Sequence, residues 1–215
     1  CLPTEDFPVM SGGEYGHTFS LAAADLRELI DRTRFAISTE ETRYYLNGIY
    51  LHVFDRDGTD VLRAVSTAGH RLASVEMPRP AGVAGMPGVI VPRKTVGEIR
   101  KLIDETGDDV EISLSEAKIK FAFDDAVLTS KLIDGTFPDY QRVIPVNNDK
   151  EMVVNRKALT DAVDRVSAIS SEKSRAVKLT INGDTLSLSA SSPENGTAQE
   201  EVEITYGADV IEIGF

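Results

Sequence analysis

Apolar residues along the chain follow two rhythms. Three stretches repeat every three to four residues. In 21–36, Leu26, Leu29, Ile30 and Thr33 share one face while Arg27, Glu28 and Arg34 take the other. This spacing predicts a helix, with Ser20 as its cap. Residues 93–105 predict a second helix on Val96, Ile99 and Ile103, and 155–168 a third on Leu159, Ala162, Val163 and Val166, capped by Asn155. Elsewhere the period is two. Val110, Ile112 and Leu114 alternate with polar neighbours, as do Ile119, Phe121 and Phe123, then Val177, Leu179 and Ile181, and Leu186, Leu188 and Ala190. Strands are also expected at 50–54, 62–65, 72–75, 126–130, 152–154 and 202–206. Alternation gives a strand one wet and one buried face, which is the signature of antiparallel sheet. Asp57-Gly58 and Asn182-Gly183 are hairpin turns.

The remaining segments read as connections. Residues 2–8 form a linker, 134–140 a hinge-like stretch, and 193–197 a polar loop. The glycines at 82, 85 and 88 do not follow either phosphate-binding order, and Pro87 removes a backbone donor, so 82–88 is an ordinary loop.

The pattern repeats. The first helix aligns with the third at an offset of 133, which sets Leu26 on Leu159 and Asp31-Arg32 on Asp164-Arg165. Each unit is a strand, a helix, then antiparallel strands, and two units make a domain of about 130 residues. A third unit opens near 149. The chain starts on Cys1 without an initiator Met and closes on the strand-like run 211–215, so it is expected to be an internal piece of a longer protein.

Composition narrows the function. Of 215 residues, 41% are hydrophobic and 27% charged, enough to bury real cores. No apolar run reaches the roughly 18–20 residues that cross a bilayer. The single Cys1 excludes an internal disulfide, and a reducing, cytoplasmic setting is expected. One terminal cysteine and three dispersed histidines make neither a metal site nor a cofactor site. Net charge is −12, but it is uneven: the three helical stretches sum to +2 and the rest to −14. Basic surface therefore lies on helices, backed by acidic strands.

Catalytic patterns are missing. There is no G-x-S-x-G elbow, P-loop or H-E-x-x-H. His70, beside Arg71 in a glycine turn, is the one candidate general base. A hydrolase built on it lacks an adjacent nucleophile and orienting group in the sequence.

Three stretches carry a resemblance. They are Thr42-Arg43-Tyr44-Tyr45-Leu46-Asn47-Gly48, Ser66-Thr67-Ala68-Gly69-His70-Arg71-Leu72-Ala73, and Ser130-Lys131-Leu132-Ile133-Asp134-Gly135-Thr136-Phe137-Pro138-Asp139-Tyr140. With 89–94 and 171–175, in this order and spacing, the whole chain resembles the bacterial sliding clamps, the beta subunits of DNA polymerase III. The resemblance implies an α+β DNA-clamp fold of repeated β-α-β-β-β units, with antiparallel sheets outside and helices on one face. By that comparison 1–14 is the end of a first domain and its linker, 15–148 a complete middle domain, and 149–215 the first half of a third.

The function so implied is that of a non-catalytic processivity factor. It encircles duplex DNA as a head-to-tail homodimer and holds the polymerase III catalytic subunit, the clamp loader and repair polymerases by short peptides. The peptide pocket carries over onto Leu46, Thr67, Gly69, His70, Arg71, Leu72, Pro138, Arg142 and Val143. Helix position makes Arg27, Arg34, Arg100, Lys101, Arg156 and Lys157 the DNA-facing candidates, and Ala168, Ile169 and Arg175 match the inter-subunit region. Ala68 stands where the family often has an acidic residue. The alternatives are a stand-alone peptide-binding module and the His70 hydrolase.

Overall fold

The computed structural model describes residues 14–104, 109–170 and 176–215. The chain divides into two compact units between Tyr140 and Gln141, eight residues before the boundary expected from the repeat.

The first unit contains two β-α-β-β-β sets. One is β1 (His17–Ala22), α1 (Ala23–Thr33), β2 (Gly48–Arg56), β3 (Thr59–Thr67) and β4 (Leu72–Pro78). The other is β5 (Val89–Pro92), α2 (Arg93–Ile103), β6 (Asp109–Leu114), β7 (Lys118–Ala122) and β8 (Val127–Lys131). The sets exchange their first strands. β1 pairs with β6, and β5 pairs with β2, so the sheets run β4-β3-β2-β5 and β1-β6-β7-β8. All pairings are antiparallel.

One core serves both sheets and both helices. Leu26, Leu29 and Ile30 of α1 and Val96, Ile99 and Ile103 of α2 meet Leu51, Leu62, Val91, Val110, Ile112 and Phe121 from the strands. Each buried aliphatic side chain of this size contributes about 1.5–3 kcal/mol of apolar burial. The interior retains an apolar cavity of about 30 Å³, lined by residues of this core. With no polar partner in its wall, it is a packing gap rather than a ligand site.

Two expectations are corrected here. Ser20 does not cap α1: it lies inside β1, and the helix begins after Ala22 without a side-chain cap. The cause is the alternation of Phe19 and Leu21, both buried, which continues the strand to the helix itself. The first sheet also has no wet face along much of its length. Residues 62–66 of β3 are all buried. Opposite the main core a second cluster forms from Leu46, Val65, Ile90, Phe137 and Tyr140, with Tyr45, Tyr50, Leu72 and Ile133 packed on it. The segment read as a hinge, 134–140, is thus partly a cover for the sheet.

The second unit holds β9 (Met152–Val154), α3 (Arg156–Ser167), β10 (Lys178–Asn182), β11 (Thr185–Ser192), β12 (Gly196–Tyr206) and β13 (Ile211–Gly214) in one sheet of order β13-β10-β11-β12-β9. β13 pairs with β10 as β5 pairs with β2. Asn155 caps α3 as expected, its side chain accepting from the Ala158 N–H at 3.0 Å. β12 begins inside the predicted loop 193–197. Ala162 and Val166 pack on Leu186, Leu188, Val202 and Ile204.

Candidate functional site

Of the residues expected to bind peptide, Thr67, Gly69, His70, Arg71 and Leu72 lie on or beside the turn between β3 and β4. Thr67 closes that turn. Its hydroxyl accepts from the Gly69 N–H at 3.1 Å and donates to the Arg71 carbonyl at 2.9 Å, while the Ala68 N–H also reaches that carbonyl at 3.3 Å. The closure does not use a side chain at 68, so the turn forms with alanine there. Gly69 has φ +86°, and a methyl group on it would lie 2.9 Å from Arg43 Nη1. Only glycine enters this conformation freely. Arg43 is held in place by a bidentate pair with Glu40, at 2.8 and 2.7 Å. His70 and Arg71 are exposed at the tip. The Arg71 guanidinium lies 5.9 Å from the ring centre of Phe35, itself 56% exposed.

The apolar members divide into structural and accessible groups. Leu46 is buried in the second cluster and serves packing. Leu72 is half-buried against the same cluster. Pro138 is exposed between buried Phe137 and Tyr140. Arg142 and Val143 lie on a 3-10 turn over Tyr140–Val143, and Val143 is exposed. Among the described residues His70 makes no hydrogen bond to an orienting group, which gives the hydrolase reading no support. No group of three or more His, Cys, Asp or Glu side chains is placed to hold a metal among the described residues.

Sequence reasoning missed the residues beneath this surface. Tyr50, His52 and Phe54 share the face of β2 turned away from the main core. Opposite His52 stands Arg63 on β3, and opposite Arg63 stands Glu76 on β4. Arg63 is buried; it donates to the Tyr140 hydroxyl at 2.8 Å and to Glu76. Its guanidinium carbon sits 3.2 Å from the centre of the Phe54 ring. His52 Nε2 lies 3.0 Å from the same Tyr140 hydroxyl, and its Nδ1 lies 3.0 Å from the Val53 carbonyl. Burial, with Arg63 nearby, lowers the His52 pKa from its ordinary value, partly offset by the bond to Val53. The available signal was three aromatic rings at period two on a strand whose alternate positions are also apolar.

The helices show a different balance from the one expected. Arg27 pairs with Asp104 at 2.9 Å, Arg34 with Asp31 at 3.3 Å, and Lys101 with Glu98 at 3.0 Å. Arg100 bridges α1 and α2 through Asp31 at 2.8 Å and Asp104 at 2.6 Å. Lys157 pairs with Asp161 at 2.5 Å. Of the six candidates only Arg156 has no ion pair among the described residues. Arg93 and Lys94, at the start of α2, share that property. Ala168 is exposed just after α3, and Ile169 is half-buried with its carbonyl accepting from Asn195. Arg175 lies outside the described residues.

Two family models match in order: the central domain of the DNA polymerase III beta subunit over residues 20–139, and its C-terminal domain over 141–215. The chain belongs to the DNA polymerase III beta subunit family. The beta sliding clamp of Caulobacter vibrioides is 51% identical over 214 residues, covering 100% of this chain and 58% of that protein. That of Pseudomonas aeruginosa is 41% identical over 214 residues, covering 100% and 57%. The crystal structure of a Bartonella birtlesii sliding clamp bound to griselimycin superimposes with a TM-score of 0.96 at 55% identity, over 100% of this chain and 58% of that one. The chain therefore spans little more than half the length of the relatives it matches. The clamp fold expected from the sequence is the fold observed. No helix among the described residues is long and apolar enough to cross a membrane.

Proposed function

We propose that this chain is the middle domain and part of the third domain of a sliding clamp that encircles duplex DNA and tethers polymerases and other partners by short peptides, with no catalysis of its own. The middle domain runs to Tyr140 and the first part of the third begins at Gln141, rather than at the expected 148/149 boundary, with 1–14 leading in from a first domain. The observation that carries the reading is the ordered pair of family matches together with the close superposition on a clamp holding griselimycin.

The surface chemistry supports it. The tip of Gly69, His70 and Arg71, the half-buried Leu72 and the exposed Pro138 offer an apolar seat with cationic anchors, as a short hydrophobic peptide with a polar end requires. The neutralised helices suit a protein held on DNA by topology. With Arg93, Lys94 and Arg156 the helix cations that have no ion pair among the described residues, phosphate attraction is weak enough to permit sliding. Ala168, Ile169 and Arg175 belong to the contact that closes the homodimeric ring. The replicative polymerase, the clamp loader and repair polymerases are the partners.

We propose that griselimycin, held by that similar clamp, occupies the peptide seat, so that its binding tests the seat. The full-length protein is expected to bind it saturably by calorimetry, and Leu72→Ser to weaken binding at least tenfold. Absence of binding by the parent protein would overturn the peptide-site reading.

A further inference from the structure

The strand face beneath the peptide seat carries more chemistry than packing needs. A histidine and an arginine are both buried there, and each makes a hydrogen bond to the same tyrosine of the segment that presents Pro138. We infer that His52, Arg63 and Tyr140 form a positioning network that sets the height and orientation of Pro138 in the peptide seat. This inference rests on the peptide-site reading above.

The hydrogen-bond directions follow from the atoms. The Val53 carbonyl can only accept, so His52 Nδ1 carries the proton and Nε2 is bare. Nε2 therefore accepts, and the Tyr140 hydroxyl donates to it. The remaining lone pairs of that hydroxyl accept from Arg63, which can only donate. Each group has one available role, and the roles agree. Arg63 is itself held by Glu76, which Arg56 grips from the exposed side at 3.0 Å. A relay of charged and polar groups thus runs across three strands and ends on Tyr140.

The aromatic rings fix the other end of the segment. Phe137 stacks on Tyr50 with ring centres 4.7 Å apart and planes at 6°, and Tyr50 stacks on His52 at 4.6 Å and 23°. Tyr140 meets both His52 and Phe137 edge-on, at 5.9 and 6.3 Å. Phe137 and Tyr140 bracket Pro138 and are both buried, while Pro138 is exposed. A proline clamped between two buried, oriented rings has little freedom left. Hydrophobic packing alone would hold Phe137. The hydroxyl of Tyr140 and its two polar partners add direction, because rings can slide and hydrogen bonds cannot.

The test uses griselimycin binding to the full-length protein, with Tyr140→Phe, His52→Ala, His52→Gln and Pro138→Ala variants. Tyr140→Phe keeps the ring and removes only the hydroxyl. It and His52→Ala are expected to weaken binding about three- to tenfold, the scale of one displaced hydrogen bond. His52→Gln, whose amide reaches about as far as Nε2, is expected to recover most of the loss. In a double-mutant cycle Tyr140→Phe should cost little once Pro138 is already alanine. Parent-like affinity in Tyr140→Phe and His52→Ala would overturn the inference while leaving the peptide site standing. So would additive losses without recovery in His52→Gln, since these report only general destabilisation. Failure of the parent to bind would remove the peptide-site reading and the inference with it.

Discussion

Arg63→Ala is expected to destabilise the first unit by about 3 kcal/mol. The Tyr140 hydroxyl loses its donor but keeps His52, a cost of about 1 kcal/mol for one buried hydrogen bond. Glu76 loses its buried partner. Breaking a fully buried ion pair costs about 3–5 kcal/mol, but Glu76 is 22% exposed and retains Arg56, so about 1–2 kcal/mol applies. The cation over the Phe54 ring contributes about 1 kcal/mol. Arg63 Nε is buried without a partner among the described residues, and its removal returns part of the total. At about 4 °C per kcal/mol for a unit of this size, the midpoint falls by about 12 °C. Urea unfolding followed by far-ultraviolet circular dichroism reads the change. Arg63→Met, which still covers Phe54, should lose less, about 2 kcal/mol. A loss below about 1 kcal/mol in Arg63→Ala would refute an energetic role for the relay.

Three further outcomes are expected. Because the folded-state pKa of His52 is lowered, the unfolded chain takes up its proton first as pH falls below about 6.5. Its contribution is therefore complete above that value and is lost towards the lower folded value. The charged or titratable groups facing it are Arg63, Tyr140 and Tyr50, with Glu76 behind Arg63. His52→Phe should flatten the fall in stability between pH 7.5 and 5.5, and an unchanged slope would assign that fall to other groups. Asn155→Ala removes the cap of α3 and should cost the second unit about 1 kcal/mol in urea, with the first unit's transition unmoved. Gly69→Ala forces a side chain into φ +86° beside Arg43 and should cost about 1–2 kcal/mol and weaken griselimycin binding; parent-like values in both would show that the turn tolerates a side chain.

Much of the fold is legible in local pattern. The helices on Ile99 and Val166 and the strands on Ile112, Ile119 and Leu188 follow from spacing alone, because each buries one face against one core. β1 escapes because its alternation of Phe19 and Leu21 runs into α1 with no polar break and no cap. The start of β12 escapes because Gly196 and Thr197 follow a true turn and carry no apolar signal. The site is less legible for a physical reason. Tyr140 meets His52 from 88 residues away and Arg63 from 77, and Arg27 finds Asp104 across two helices. A charged residue on a strand reads as exposed until its distant partner is known. For the same reason Leu46 reads as a pocket wall, yet it is sealed beneath Phe137 and Tyr140.

Encirclement of DNA is tested most directly by topology. The full-length protein is incubated with nicked circular duplex, host extract and ATP, then passed through a gel-filtration column in moderate salt. The account predicts that protein travels with the circle and is released when a restriction enzyme linearises it. Equal retention on circular and linear DNA, or none on either, would contradict a ring and favour a peptide-binding module that does not encircle DNA.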